Sequence, residues 1–103
     1  MKIQLANQQT KSSLLKLMRE AYKDEPDPSE HDWVTIEKAT DQLLTDPYAG
    51  EAYLIFDEAH HPVGYIIMYR RFSLQAGGYI TRIDDIYLRD SEPGRFRDQE
   101  TIP

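Results

Sequence analysis

The hydrophobic pattern of this chain changes from helical to strand-like at Gly50, and this change limits the folds that the chain can adopt. Over residues 9–23, apolar side chains recur at helical spacing, which predicts an amphipathic helix that Asn7 or Thr10 can cap. The apolar stripe of this helix consists of Leu14, Leu15, Met18, Ala21 and Tyr22.

A second stripe with the same spacing follows Ser29 and Asp32, and either residue can cap the helix that this stripe predicts. A segment with helical spacing does not fit a strand, and both helical stripes lie before Gly50. Both predicted helices therefore precede the main part of the sheet.

Strands are predicted on both sides of the helical segments. A short alternating segment precedes the first helix, and three segments rich in β-branched and aromatic residues follow the second, with polar turns between them. The predicted strands are residues 1–5, 52–56, 63–73 and 79–89. The order strand-helix-helix-strand-strand-strand indicates an α+β fold with a mainly antiparallel sheet and helices packed on it. The 103 residues suffice for one domain with its own core.

Composition excludes several classes of function. The chain has no cysteine, which removes disulfides, thiolate metal sites and cysteine nucleophiles. The adjacent histidines His60 and His61 have no further ligand near them in the sequence, so we expect no metal site. The net charge of −6 disfavours nucleic acid and favours cationic partners. No apolar run is long enough for a membrane span or a signal peptide, so we expect a cytoplasmic protein without a membrane partner.

Two adjacent acids, Asp84 and Asp85, interrupt the last predicted strand. Acidic residues are depleted in strands, so the pair needs a reason beyond packing. Successive strand residues point to opposite faces, and the two carboxylates can share one face only if a β-bulge intervenes. In the alternative interpretation one acid is solvated and the other pairs with a cation such as Arg70 or Arg82, and the sequence leaves this structural role open.

Three segments of the predicted sheet share their order, spacing and residue types with a known family. They are residues 52–56 (Ala-Tyr-Leu-Ile-Phe), 62–69 (Pro-Val-Gly-Tyr-Ile-Ile-Met-Tyr) and 83–89 (Ile-Asp-Asp-Ile-Tyr-Leu-Arg). Together they resemble the GNAT N-acetyltransferase family, and the acid pair is similar to that of its small-amine, diamine-type members. The resemblance covers residues 1–92 and implies the N-terminal portion of the GNAT fold, truncated at its C-terminus. Residues 93–103 would form an irregular tail.

The resemblance implies transfer of an acetyl group from acetyl-CoA, as cosubstrate, to a small primary amine. It gives Asp84 the role of general base, which takes a proton from the attacking ammonium directly or through water. It assigns Asp85, Trp33 and Tyr65 to the amine-binding site. For Trp33 and Tyr65, packing between the helices and within the sheet is the alternative interpretation.

The resemblance also places acetyl-CoA along the fourth strand of the family fold. In the family, the backbone of this strand hydrogen-bonds the pantetheine arm, which assigns cofactor binding to Ile86, Tyr87 and Leu88. A glycine-rich loop follows in the family and holds the pyrophosphate with its backbone amides.

The residues that follow the predicted fourth strand depart from this glycine-rich pattern. Aligned without gaps, the pattern falls on Pro93, Phe96 and Asp98, and only Gly94 is typical of it. Proline lacks an amide donor, phenylalanine hinders close backbone approach, and aspartate adds negative charge beside a pyrophosphate. We therefore expect acetyl-CoA binding and catalysis to be impaired in this chain.

Two alternatives to an active enzyme remain. A catalytically silent fragment would leave the edge of the fourth strand and the side chains of Ile80, Ile86 and Leu88 without their usual cover. Pairing of two identical edges would cover them, which predicts a homodimer through the exposed sheet edge. The other alternative is a protein-interaction module that uses the same edge to bind a different protein.

Overall fold

The computed structural model describes residues 1–23 and 32–89 of the chain. These residues form two α-helices and a four-stranded sheet, which confirms the predicted α+β class. The elements are, in chain order, β1 (Lys2–Leu5), α1 (Lys11–Lys23), α2 (Trp33–Thr45), β2 (Gly50–Phe56), β3 (Pro62–Ser73) and β4 (Gly78–Leu88). Each predicted helix and strand is present, and the predicted tail over 93–103 lies outside the described residues.

Side-chain caps determine where each helix begins. Asn7 accepts hydrogen bonds from two backbone N–H groups of a short 3₁₀ turn that leads directly into α1. Asp32 accepts from two backbone N–H groups in the first turn of α2 and from the hydroxyl of Thr35. Asp32 is therefore the cap of the second helix, and Ser29, the other candidate, lies outside the described residues. Neither of these two helices is long and apolar enough to cross a lipid bilayer.

The strands form one antiparallel sheet in the order β1-β2-β3-β4, so each strand pairs with its neighbour along the chain. Both helices lie on one face of the sheet, where their apolar stripes pack on side chains of β2 and β3. The largest fully buried side chains of this layer are Leu14, Leu17, Leu54 and Tyr65. Burial of each large apolar side chain contributes about 1.5–3 kcal/mol, so this layer fixes the helices on the sheet.

The opposite face of the sheet carries a second, smaller apolar cluster. Ile55, Val63 and Ile66 are buried in it, and Ile86 and Leu88 pack against them. Neither α1 nor α2 contributes a side chain to this cluster. The sheet therefore separates the helix-covered core from the side chains of Ile86 and Leu88.

A β-bulge interrupts the pairing of β3 with β4. Asp85 lies opposite Ile67, and Ile83 lies opposite Met68, so Asp84 is one extra residue in β4 without a partner in the ladder. Such a bulge turns neighbouring side chains away from strict alternation. The bulge that the two acids need in order to share one face of the sheet is therefore present, and it falls on the first acid of the pair.

Candidate functional site

The bulge brings both acids to the helix-covered side of the sheet. Asp84 and Asp85 line one cleft, which has a volume of about 490 Å³ and lies between the two helices and strands β3 and β4. This volume is within the range of about 300–1,000 Å³ that is typical of small-molecule sites. The remaining described lining is uncharged, and much of it is apolar, as at Ile36, Leu43 and Ile67.

Asp85 is held by two tyrosine hydroxyls from different elements. Tyr65 in β3 donates to Asp85 Oδ2 over 2.8 Å, and Tyr22 in α1 donates to the same oxygen over 3.1 Å. Hydrogen bonds to an ionised carboxylate contribute about 1.5–3 kcal/mol each, roughly twice as much as those between neutral groups. The two bonds therefore give this carboxylate a fixed orientation at the wall of the cleft.

Both tyrosines remain protonated and act as donors to Asp85. Burial, followed by the negative charge of Asp85, raises the pKa of Tyr65 far above its usual range. The same causes, in the same order, raise the pKa of Tyr22 to about 12. The side chain of Tyr65 is fully buried, at 0% exposure, so it reaches the cleft through Asp85 and not by direct contact with solvent.

Asp84 is the exposed member of the acid pair. The bulge releases it from the ladder with β3, and its side chain lines the cleft. Its charge contributes, after the effects of burial and Asp85, to the raised pKa of Tyr22. The site therefore combines one carboxylate in a fixed position with one accessible carboxylate beside it.

Trp33 lies behind this site and supports it through Tyr22. The two rings pack with centroids 5.7 Å apart. On the exposed side, the guanidinium carbon of Arg19 lies 4.4 Å from the centroid of the indole ring, a cation–π contact. Trp33 is the first residue of α2, so this stack joins the two helices at the tyrosine that holds Asp85.

Arg70 and Arg82, which the sequence offers as ion-pair partners for the acids, take other positions. The guanidinium of Arg70 lies 3.7 Å from Glu51 and donates to the carbonyl oxygen of Pro47. Arg82 is exposed and lies opposite Tyr69 in the ladder. In the described part of the chain, tyrosine hydroxyls take the place that the alternative interpretation gave to an arginine.

The backbone at the end of β4 faces in two directions. The N–H of Arg89 donates to the carbonyl of Val63 over 2.9 Å, and hydrogen bonding alternates along an antiparallel pair. Tyr87 therefore bonds to β3, whereas the N–H and C=O groups of Ile86 and Leu88 point away from it. The backbone groups of Ile86 and Leu88 therefore lie along the edge of β4 at which the described sheet has no further strand. Two of the three residues predicted to bind the cofactor thus have their backbone groups on the open side.

An ion pair joins this end of β4 to α1. Arg89 donates from Nε and from a terminal nitrogen to the two carboxylate oxygens of Glu20, over 2.8 and 2.6 Å. These hydrogen bonds are the largest cause that lowers the pKa of Glu20. The pair fixes the distance between the helix that carries Tyr22 and the strand that carries the acids. Residues 93–98, which align with the family's glycine-rich pattern but depart from it, lie outside the described residues.

Several solved structures are similar to this chain. An integron cassette protein from the mobile metagenome of Cole Harbour Salt Marsh is 26% identical, with a TM-score of 0.78 over 91% of this chain and 60% of that one. A ribosomal-protein-alanine N-acetyltransferase from Brucella melitensis biovar Abortus 2308 is 21% identical, with a TM-score of 0.66 over 97% and 65% of the two chains. A possible acetyltransferase from Clostridium difficile 630 is 18% identical, with a TM-score of 0.77 over 97% and 64%.

The chain spans about 60–65% of the length of these solved structures. No protein-family model matches its sequence, and no curated protein matches it either. At these identities, the likeness in structure establishes the fold, and the fold is the one that the sequence resemblance predicts. The described part of the chain therefore has the GNAT acetyltransferase fold.

Proposed function

We propose that this chain carries the amine site of an acetyltransferase, which moves the acetyl group of acetyl-CoA to a primary amine. The observation that carries the proposal is the bulge at Asp84, because it directs both acids into one cleft of small-molecule size. The fold shared with solved acetyltransferases supports the same class of reaction. The open side of β4 lies close to the bulge, so an amine in the cleft and a thioester along β4 would meet there.

The two acids would serve the amine in different ways. A primary amine is an ammonium ion at neutral pH, and two carboxylates attract it. Asp85, held by the tyrosines, would orient this ammonium. Asp84, the more exposed acid, would accept its proton directly or through water. The nitrogen lone pair then forms a bond to the acetyl carbon and the C–S bond breaks. The nitrogen loses a second proton, which the leaving thiolate takes up directly or through water, so that the products are the N-acetylated amine and CoA as the thiol.

Acetyl-CoA would supply the acetyl group in activated form, as a thioester. The described residues that fit it are Ile86 and Leu88, whose backbone groups lie on the open side of β4 and could pair with the amide groups of an extended ligand. The ring of Tyr87 packs on Tyr65 with centroids 5.8 Å apart, which connects this edge to the acid site. Because Pro93 and Asp98 depart from the glycine-rich pattern, we propose that the affinity for acetyl-CoA is low.

The test measures acetyl transfer by the full chain with acetyl-CoA and a primary amine, following thiol release and the mass of the product. Asp84→Asn removes the proton acceptor and should lower the rate about 10²- to 10⁴-fold. Glu37→Gln removes the same charge from an exposed position on α2 outside the cleft, and its rate should match that of the wild type. Absence of acetylated product from the wild type at millimolar reactants would overturn the proposal, as would an unchanged rate in Asp84→Asn.

A second candidate function is self-association through β4. This strand lies at the end of the described sheet, and Phe72, Tyr79 and Ile83 beside it are 57%, 62% and 36% exposed. Two copies that pair β4 with β4 would use the backbone groups of Ile86 and Leu88 and would cover these side chains. Light scattering should then give twice the monomer mass at micromolar concentration, and CoA should lower it because both occupants need one edge. A monomer mass throughout would exclude this candidate.

A further inference from the structure

We propose that the cleft is built for an amine with a single positive charge and an apolar body, and not for a diamine or polyamine. This inference rests on the proposed function, since it assigns the class of amine that the same acids would bind. It concerns the walls of the cleft, whereas the proposed function concerns the acids at the bulge.

In the part of the chain that the structure describes, negative charge lies at one corner of the cleft. Among the described residues that line it, Asp84 and Asp85 are the charged ones, and they are neighbours in β4. A bulge that places two consecutive side chains on one face makes them converge on the same point. The two carboxylates therefore serve one ammonium group, and a second ammonium on the same molecule would have to bind elsewhere.

The wall that α2 contributes has no carboxylate for a second ammonium. It consists of Ile36, Ala39, Thr40, Gln42 and Leu43. The hydroxyl of Thr40 donates to the carbonyl of Ile36 over 2.7 Å, so its proton is engaged within the helix. An ammonium placed against this wall would lose hydration without gaining a charged partner, which is unfavourable, whereas a methylene chain or a ring gains free energy there.

A methionine side chain completes the apolar surface. Met18 of α1 lines the cleft together with Ile67, whereas the side chain of Met68 packs in the cluster on the opposite face of the sheet. Unbranched thioether side chains adapt to ligands of different shape, so the walls should accept alkyl and aryl groups alike.

The experiment compares two amines of equal length by calorimetry on the full chain without acetyl-CoA. Hexylamine should bind at least about tenfold more tightly than hexane-1,6-diamine, because the second ammonium of the diamine meets the apolar wall. Hexanol, which has the same body without charge, should bind more weakly than hexylamine. Equal or tighter binding of the diamine to the wild type would overturn the inference and leave the proposed acetyl transfer intact.

A carboxylate introduced into the α2 wall tests whether the lack of a second acid there is the reason for the preference for hexylamine. Ala39→Glu places a carboxylate on the α2 wall and should shift the preference towards the diamine. Val34→Glu makes the same change of charge on the same helix at a site that is 63% exposed and outside the cleft, and it should leave the preference for hexylamine unchanged. Equal shifts in both variants would contradict the inference, because net charge alone would then explain them. If neither amine binds, the amine site itself is absent, and the proposed function fails together with the inference.

Discussion

Glu20 and Arg89 form a two-point ion pair that connects α1 to the residue directly after β4. The two residues are 69 positions apart in the chain, so the pair closes the fold around the acid site. α1 brings Tyr22 to Asp85 one residue before the helix ends, and Arg89 follows the open backbone of Leu88. The pair therefore joins α1, which carries Tyr22, to the end of β4, beside the edge proposed to bind the thioester.

Replacement of Arg89 should lower stability in a pH-dependent way. Arg89 lowers the pKa of Glu20 in the folded state, so the pair stabilises the protein above the usual carboxyl pKa of 4.5. This contribution is lost as the pH falls through the lower folded pKa. Both side chains are about 30% exposed, so we expect Arg89→Met to cost about 1 kcal/mol or less at pH 7 and nothing at an acid pH below the lowered folded pKa of Glu20.

Urea unfolding at both pH values measures the effect of Arg89→Met. The matched control is Arg71→Met, which removes the same charge from an exposed strand residue and should change stability little at either pH. A deficit in Arg89→Met that is equally large at acid pH would show that packing of the side chain, and not the ion pair, is responsible.

Tyr65→Phe should weaken the site without changing its shape. The substitution removes the shorter of the two hydrogen bonds to Asp85 and leaves the aromatic ring in the core. Loss of a bond to a partly buried carboxylate costs about 1–3 kcal/mol, and the released carboxylate should bind hexylamine less tightly. Chemical unfolding and calorimetry measure the two effects. Tyr79→Phe, at a residue that is 62% exposed, should alter neither, and equal behaviour of the two variants would refute the role given to Tyr65.

Alkaline pH should destabilise the protein through the two buried phenols. The folded-state pKa of Tyr22 is raised from 10.0 to about 12, and that of Tyr65 is raised further. A raised pKa means that the protonated phenols contribute full stability below pH 10, and that this contribution is lost as the pH rises through the folded values. The free energy of unfolding should therefore fall with pH above about 10. The slope should be smaller in Tyr22→Phe, and a slope equal to that of the wild type would contradict the prediction.

Gly64→Ala should displace the end of β4. A Cβ atom at Gly64 would lie 2.3 Å from the carbonyl oxygen of Tyr87 and 3.0 Å from Cδ1 of Leu88, so the strand must move. We expect a loss of stability of about 1–3 kcal/mol and weaker binding of acetyl-CoA. Gly78→Ala is the control, because a Cβ there meets no atom within 4 Å. Unfolding curves and CoA titrations that coincide for both variants would contradict this account of the β4 edge.

The spacing of apolar residues predicted the helices and strands well, because helical and strand periodicity each depend only on residues that are close in sequence. The stripes that define α1 and α2 and the alternation in β3 depend on residues a few positions apart. Leu17 was not in the predicted stripe of α1, yet it is 1% exposed, because the sheet covers a wider face of this helix than the stripe indicated. Asn7 was one of the two predicted caps, with Thr10, whereas the 3₁₀ turn that separates Asn7 from α1 was not predicted.

The acid site could be predicted only in part, because its contacts are distant in sequence. The acids were recognised as a pair in need of a bulge, and the bulge is present. Tyr22 was predicted only as one position of the α1 stripe, and its bond to Asp85 spans 63 positions that no spacing rule covers. The resemblance assigned Tyr65 to the amine-binding site, and the structure places it beneath Asp85, where its side chain is fully buried. Burial of that kind depends on how the helices pack over β3.

The bulge has a genetic consequence. Removal of the Asp84 codon would leave Ile83 opposite Met68 and Asp85 opposite Ile67, as they are now, in an uninterrupted ladder. Every other side chain of β4 would keep its face of the sheet, so the fold does not require this residue. One codon therefore separates a sheet with an accessible carboxylate from a sheet without one. A lineage with this fold could acquire or lose that group in one mutational step while the rest of the domain stays folded.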